Sequence, residues 1–424
     1  MDSLVKKFLE SHGFLLDMDL TALVEAMLSD MNEGLSGRPS AQDMIRTYID
    51  PGAISVYEKN VIVIDAGGTN FRSALASFKE DGSFSCSRFE KTRMPGSEKE
   101  LSKKEFFTQI AKNIERFKDS CDEICFCFSY AMTITKDKDG ILKSFSKEVR
   151  APEVVGSHIG AELKIALGEQ GWSKIPKVFL LNDTVAALLA GSGSKKYSSY
   201  IGFILGTGMN AAYMQNDNEN YKIKRQIIDC ESAKFNGFKN SDFDIAMDKK
   251  SVCPGSFPFE KLCSGAYLGS LALETLKFAA QDGLFSKEFS SAITSRKELC
   301  LIEVSDFLEK SDEEANSYHH IFIEENAGVE DCGRIFALFD ILVDRMAKLS
   351  AVVLASCLIQ CGEGKDSERP VCVSCNGSSL FKTYKVFERT KKYLKELMRN
   401  KNIHYEILAD EANITKGTAM AAFS

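Results

Sequence analysis

Val61, Ile62, Val63 and Ile64 run into Asp65, Ala66, Gly67, Gly68, Thr69, Asn70, Phe71 and Arg72. Four β-branched apolar residues in a row read as a buried strand, and the glycine pair as the turn that ends it. Phe71 to Phe78 and Phe84 to Phe89 read as two more strands, joined at Asp81-Gly82. The unit is strand–turn–strand, so no helix N-terminus stands ready to hold phosphate as it does behind a P-loop. The amides of the turn would have to do so. Gly67 and Gly68 allow close backbone approach, and an anion-binding concavity over Gly67–Thr69 is the chemistry they permit. Asp65 suits Mg²⁺ held through water, because that ion favours one or two carboxylates beside phosphate oxygens. Arg72 could steady phosphate or brace the turn, and an ordinary hairpin turn is the plain alternative.

A second carboxylate sits at another strand end. Pro176 to Leu181 reads as a buried strand, followed by Asn182-Asp183-Thr184 and an Ala/Leu-rich helix to Ala190. There Asp183 can act as a general base in a cleft or as the N-cap of the helix, and its residue type fits both. The opening design then recurs: strand Tyr200–Leu205, a Gly206-Thr207-Gly208 turn and strand Ala211–Gln215. Two such hairpins far apart imply two similar lobes. A third turn, Asn376-Gly377-Ser378, follows a strand from Val371. Glu231, Glu260 and Lys147, taken singly, read as solvated surface groups. No histidine (His12, His158, His319, His320, His404) lies in a candidate loop, which argues against a His-dependent hydrolase.

Four blocks in one order give a more specific reading. They are Asp65-Ala66-Gly67-Gly68-Thr69-Asn70-Phe71-Arg72, Leu181-Asn182-Asp183-Thr184-Val185, Leu205-Gly206-Thr207-Gly208-Met209-Asn210-Ala211, and the run from Pro258 to Gly269 that contains Phe259-Glu260-Lys261. Together they resemble the hexokinase/glucokinase family of the actin-like ATPases, from about residue 55 to the C-terminus. The resemblance implies an α/β fold of two lobes (ribonuclease H-like), mixed sheets with helices on both faces, and a cleft between the lobes. It implies ATP-dependent phosphorylation of a hexose, glucose first, at the 6-hydroxyl, with ATP and Mg²⁺ in the cleft. Asp183 becomes the general base and Lys147 its catalytic neighbour. Sugar contacts carry over to Ser129, Ser146, Lys147, Asn182, Asp183, Asn210, Glu231 and Glu260. Nucleotide contacts carry over to Asp65, Gly67, Gly68, Thr69, Asn70, Arg72, Thr207, Gly208, Gly377 and Ser378, with Asp65 also facing the metal. The chain departs from the family pattern at Ser129-Tyr130-Ala131 (usually Ser-Phe-Pro), Ser146-Lys147 (Thr-Lys), Glu231-Ser232-Ala233 (Glu-Trp-Gly), Asn376-Gly377-Ser378 (Asp-Gly-Ser) and the loosened turn from Ala412 to Gly417. Those changes keep open a rival reading, a catalytically weakened sugar sensor on the same fold.

Bulk properties agree with a globular enzyme. The 424 residues carry a net charge of −7, with 44% hydrophobic and 27% charged residues, so nothing favours nucleic acid or an anionic membrane. The N-terminus lacks a signal-peptide layout, and the longest apolar candidate, Leu338–Gln360, is broken by Asp340, Asp344, Arg345 and Lys348. Thirteen scattered cysteines suggest free thiols in a reducing cytoplasm. Cys357, Cys361, Cys372 and Cys375 read as buried thiols before zinc ligands, since a helix and a strand do not promise tetrahedral convergence. Three parts are expected: a helical segment 1–54 packed on the large lobe, a small lobe 55–182 with 413–424, and a large lobe 183–412.

Overall fold

The structure, a computed structural model, describes residues 2–51, 57–68, 70–81, 83–145, 149–192, 196–313, 322, 326–408 and 414–424. The chain opens with α1 (Ser3–Ser11), α2 (Leu20–Leu35) and a short strand β1 (Ile45–Arg46). The hairpin β2 (Lys59–Gly67), β3 (Asn70–Phe78) and β4 (Phe84–Arg93) leads to α3 (Lys103–Asn113), β5 (Glu123–Phe128), β6 (Ala131–Ile134), β7 (Gly140–Ser144), α4 (Ile159–Glu169) and β8 (Lys177–Leu181). After α5 (Asp183–Gly191) come β9 (Ser199–Leu205), β10 (Met209–Gln215), β11 (Gln226–Asp229), α6 (Asp242–Lys250), α7 (Leu268–Gln281), α8 (Lys287–Ser295) and α9 (Leu301–Glu313). The long α10 (Val329–Cys361), β12 (Val371–Asn376), α11 (Ser378–Lys382), α12 (Val386–Met398), β13 (Tyr405–Leu408) and α13 (Ile414–Met420) complete it.

Two mixed sheets share one plan. The five-stranded sheet has the order β4-β3-β2-β5-β8, antiparallel through β2 and parallel from β2 onward. The six-stranded sheet, β1-β11-β10-β9-β12-β13, is antiparallel through β9 and parallel beyond it. Parallel strands need crossover connections, and the helices supply them. The continuous apolar run of β2 now has its reason. Ile62 and Ile64 face a core with α3 and α4, while Val61 and Val63 face a second core with α5 and α13, so both faces are covered.

That second core lies between the sheets. It joins Val61, Val63, Cys125 and Cys127 of one sheet to Ala212, Met214, Ile227 and Cys372 of the other, through Val185–Leu189 and Ala419–Ala422. Helix α5 is buried all round from Thr184 to Leu189, as a central helix must be. Close approach is possible because two neighbours lack side chains: a Cβ on Gly202 or Gly417 would strike the α5 backbone at Thr184 or Ala186. The structure is the two-lobed actin-like ATPase fold, with α5 and α13 at its waist.

The expected helical start needs one correction. Ile45 and Arg46 pair with Asp229 and Ile228 as an edge strand, because an extended segment there satisfies the open side of β11. The four cysteines weighed for zinc do not converge. Cys372 lies on the α5 side of β12, whereas Cys357, Cys361 and Cys375 lie in the core on its other side. Burial pushes Cys361, Cys372 and Cys375 up to about 12, so each is a neutral thiol. Among the described residues no helix is long and apolar enough to cross a membrane.

Candidate active site

Strand ends deliver the carboxylates to one cleft. β8 closes at Leu181, and Asn182 takes the N-cap of α5, its side chain accepting from the Thr184 N–H at 2.8 Å. The cap is therefore filled by the preceding residue, and Asp183 begins the first turn with its carboxylate available for other work. Burial pushes the Asp183 carboxyl above its ordinary value, and the Asp65 charge adds to this. The Ser129 hydroxyl and the Thr184 N–H and hydroxyl hold it down. Ser129 follows β5, where its N–H donates to Ala66 O at 3.1 Å.

Across the cleft stand Asn210, Asp229, Glu231 and Glu260. Asn210 Nδ2 donates to Asp229 Oδ1 at 2.7 Å, and Asn210 Oδ1 accepts from the Ser232 N–H at 3.1 Å. Asp229 is 3% exposed. Its carboxyl is raised well above the ordinary value by burial and then by the Glu231 charge, with the Asn210 amide opposing. Glu231 adopts a left-handed backbone, φ 56°, which turns the chain out of β11. Burial raises its carboxyl too; the charges of Asp43 and Asp183 add to this while Lys234 and Lys143 oppose. Glu260 Oε2 accepts from the Met209 N–H at 2.9 Å, in the space a Gly208 side chain would need. Neither glutamate is the solvated loop group that a lone Glu usually is. A seam lined by Ile45, Thr47, Tyr130, Met132, Asn182, Asp229 and Glu231 joins the two sides.

The three glycine turns form the second half of the site. In the first, Arg72 Nη1 donates to Asp65 Oδ2 at 2.7 Å across the β2–β3 register, and Gly68 has φ 61°. A Cβ on Gly67 would come within 3.1 Å of Ser129 Cβ. The second turn, Gly206–Gly208, and the third, at Gly377, meet backbone to backbone, since a Cβ on Gly377 would collide with Leu205 O. Ser379 Oγ and the Gly265 N–H both donate to Gly206 O, at 2.8 and 2.9 Å, and the Ala266 N–H donates to Thr207 O at 3.1 Å. Thr207 and Ser378 are exposed above this junction.

Of the sequence candidates, Ser129, Asn182, Asp183, Asn210, Glu231 and Glu260 gather around the cleft, and Asp65, Gly67, Gly68, Asn70, Arg72, Thr207, Gly208, Gly377 and Ser378 occupy the turns. Thr69, Ser146 and Lys147 lie outside the described residues. Sequence reasoning missed Asp229, Gly265, Ser379 and Asp43, which pairs with Lys234 at 2.8 Å. Gly265 stood inside a quoted block, and Asp229 two residues before a candidate glutamate, so position relative to known motifs was the available signal.

Side chains at Gly67, Gly208, Gly265 or Gly377 would crowd Ser129, Glu260, Ser379 or Leu205, so each turn offers bare backbone held tightly against its neighbours. Asp65 supplies one carboxylate, enough for Mg²⁺ when phosphate oxygens complete the set. The Asp65 charge raises the cost of ionising Asp183, which a cation beside Asp65 would relieve.

Comparison with known proteins gives one answer. Two family models, both described as hexokinase, match residues 5–192 and 200–424. Hexokinase-7 of Oryza sativa subsp. japonica is 26% identical over 396 residues, covering 87% of this chain and 85% of that protein. Hexokinase-2 of Rattus norvegicus is 27% identical over 434 residues, covering 96% of this chain, which spans 47% of that relative's length. A Schistosoma mansoni hexokinase solved with glucose superposes with TM-score 0.78 at 21% identity over 99% of each chain. Another crystal structure of a hexokinase gives TM-score 0.81 at 20% identity over 100% of this chain and 99% of the other.

Proposed function

From a chain that belongs to the hexokinase family, we propose an ATP-dependent hexokinase that makes hexose 6-phosphate, with glucose its first substrate and Asp183 its general base. The observation that carries the base assignment is Asn182 at the N-cap, which leaves the neighbouring carboxylate of Asp183 facing Asp65 and Ser129. Asp183 takes the proton of the sugar 6-hydroxyl as that oxygen attacks the γ-phosphorus in line. The new O–P bond forms while the bond to the ADP oxygen breaks, and the proton stays on the carboxyl until products leave.

Ser129, Asn182, Asn210, Glu231 and Glu260 would pair with the remaining sugar hydroxyls, with Ser146 and Lys147 as the family resemblance assigns them. Ile45 and Met132 would cover the ring and exclude water. The amides of the Gly67-Gly68-Thr69 and Thr207-Gly208 turns, with Asn70, Arg72, Gly377 and Ser378, would hold the phosphates. Mg²⁺ beside Asp65, when bound, supplies positive charge against the phosphate oxygens. We further propose that residues 55–182 with 413–424 close on residues 183–412, which carry the helices of 1–54, before transfer. The Asp183→Ala protein tests this. It should bind glucose in calorimetry and lose turnover by roughly 10²–10⁴-fold, the usual worth of a positioned base. Retained turnover would remove Asp183 from the role, whereas sugar binding without phosphorylation by the wild-type protein would favour the sugar sensor.

A further inference from the structure

Tyr130 joins the two halves of the site through one side chain. Its hydroxyl donates to Gly68 O at 3.0 Å, and Gly68 stands in the left-handed region at φ 61°. The residue before it, Ser129, donates its N–H to Ala66 O at 3.1 Å and packs where a Gly67 side chain would begin. Residues 129 and 130 therefore bracket the first glycine turn from both sides. The Tyr130 ring is 3% exposed, held edge-on by Phe128 and Phe145 at centroid distances of 4.8 and 5.1 Å. Another edge of the ring lines the cleft seam with Asn182, Asp229 and Glu231.

We propose that Tyr130 is a positioning residue that ties the phosphate-facing Gly67-Gly68 turn to the sugar-facing end of β5. The proposal rests on the hexokinase reading above. The bond holds the Gly68 carbonyl, and with it the left-handed Gly68 backbone that shapes the turn a phosphate would meet. The ring alone would fill the same space, so what the hydroxyl adds is orientation. Burial raises the hydroxyl's pKa far above neutrality, so it stays a donor across the working pH range.

Tyr130→Phe isolates that bond, because the ring keeps its aromatic neighbours. Binding is measured by calorimetry with glucose, and separately with Mg²⁺ and the β,γ-imido analogue of ATP in the presence of saturating glucose. The analogue should bind about 5- to 10-fold more weakly, the usual worth of one neutral hydrogen bond. Glucose affinity should stay within about twofold, and amide exchange at residues 66–68 should quicken. Unchanged analogue affinity, unchanged exchange, or an equal loss for glucose would overturn the role of Tyr130. A wild-type protein that binds neither ligand would instead overturn the functional reading on which the proposal rests.

Discussion

Arg72 Nη1 lies 2.7 Å from Asp65 Oδ2, so the carboxylate assigned to the metal is already held in place by a cation from the facing strand. The pair is part-exposed, and its value lies in orientation more than stability. Asp65→Asn should cost roughly 10–100-fold in turnover at limiting Mg²⁺, as loss of a metal-orienting carboxylate does, and regain part of it at high Mg²⁺. Glucose affinity should not change. A Mg²⁺ titration of initial rates, beside glucose calorimetry, checks this.

Gly208 leaves room for Glu260. A Cβ there would sit 2.6 Å from Glu260 Oε2, so Gly208→Ala must push the carboxylate off the Met209 N–H. The KM for hexose should rise by about tenfold or more, while the KM for ATP moves less. If steady-state kinetics show the reverse, Glu260 is not a sugar ligand.

As the proposed base, Asp183 would set an acid limit on activity. Its carboxyl is raised by burial and by Asp65, and the base must be ionised. The acid limb of kcat/KM should therefore fall above the ordinary Asp value of about 3.9. The effect on stability has the opposite sense to that of a salt-bridged Asp. A raised folded pKa favours the protonated form, so its contribution is full below about pH 3.9 and is lost as pH rises through the folded value. At neutral pH the ionised group is a cost. Asp183→Asn should thus raise the melting temperature at pH 7 by a few degrees and lose that advantage toward pH 4, while abolishing turnover. Parallel melting curves at the two pH values decide it.

Arg345 and Asp244 form a two-pronged pair, 2.7 and 2.9 Å, with side chains 2% and 1% exposed. Asp244 also caps α6 through Ser241, and the guanidinium lies 4.8 Å from the Phe14 ring centroid. Arg345→Met leaves a buried carboxylate without its cation. Loss of one partner of such a pair costs about 3–5 kcal/mol, which denaturant unfolding will read, yet the kcat of folded protein should be unchanged.

The sequence carried the fold through its punctuation. β8 and β9 lie within a residue of the expected Pro176–Leu181 and Tyr200–Leu205, because short apolar runs bounded by turn residues leave few alternatives. The repeated hairpin announced the two lobes. By contrast, β11 and β13 carry no such signal. Four-residue strands give too little periodicity, and Gln226–Asp229 is wholly buried despite two polar ends. Asp183 illustrates the limit at the site. Its type fits both cap and base, and only the three-dimensional position of Asn182 shows that the cap belongs to Asn182. Asp229 was illegible for a similar reason, since its partner Asn210 is 19 residues away on β10.

A hexose, and not water, is the proposed acceptor of the γ-phosphoryl group. ADP release by the purified protein with Mg²⁺ and ATP, with and without glucose, measures that most directly. A sugar-dependent rate well above the sugar-free one, accompanied by equal formation of hexose phosphate, is the expected result. Equal rates with and without glucose, mannose, fructose or glucosamine would rule out a hexose acceptor among them.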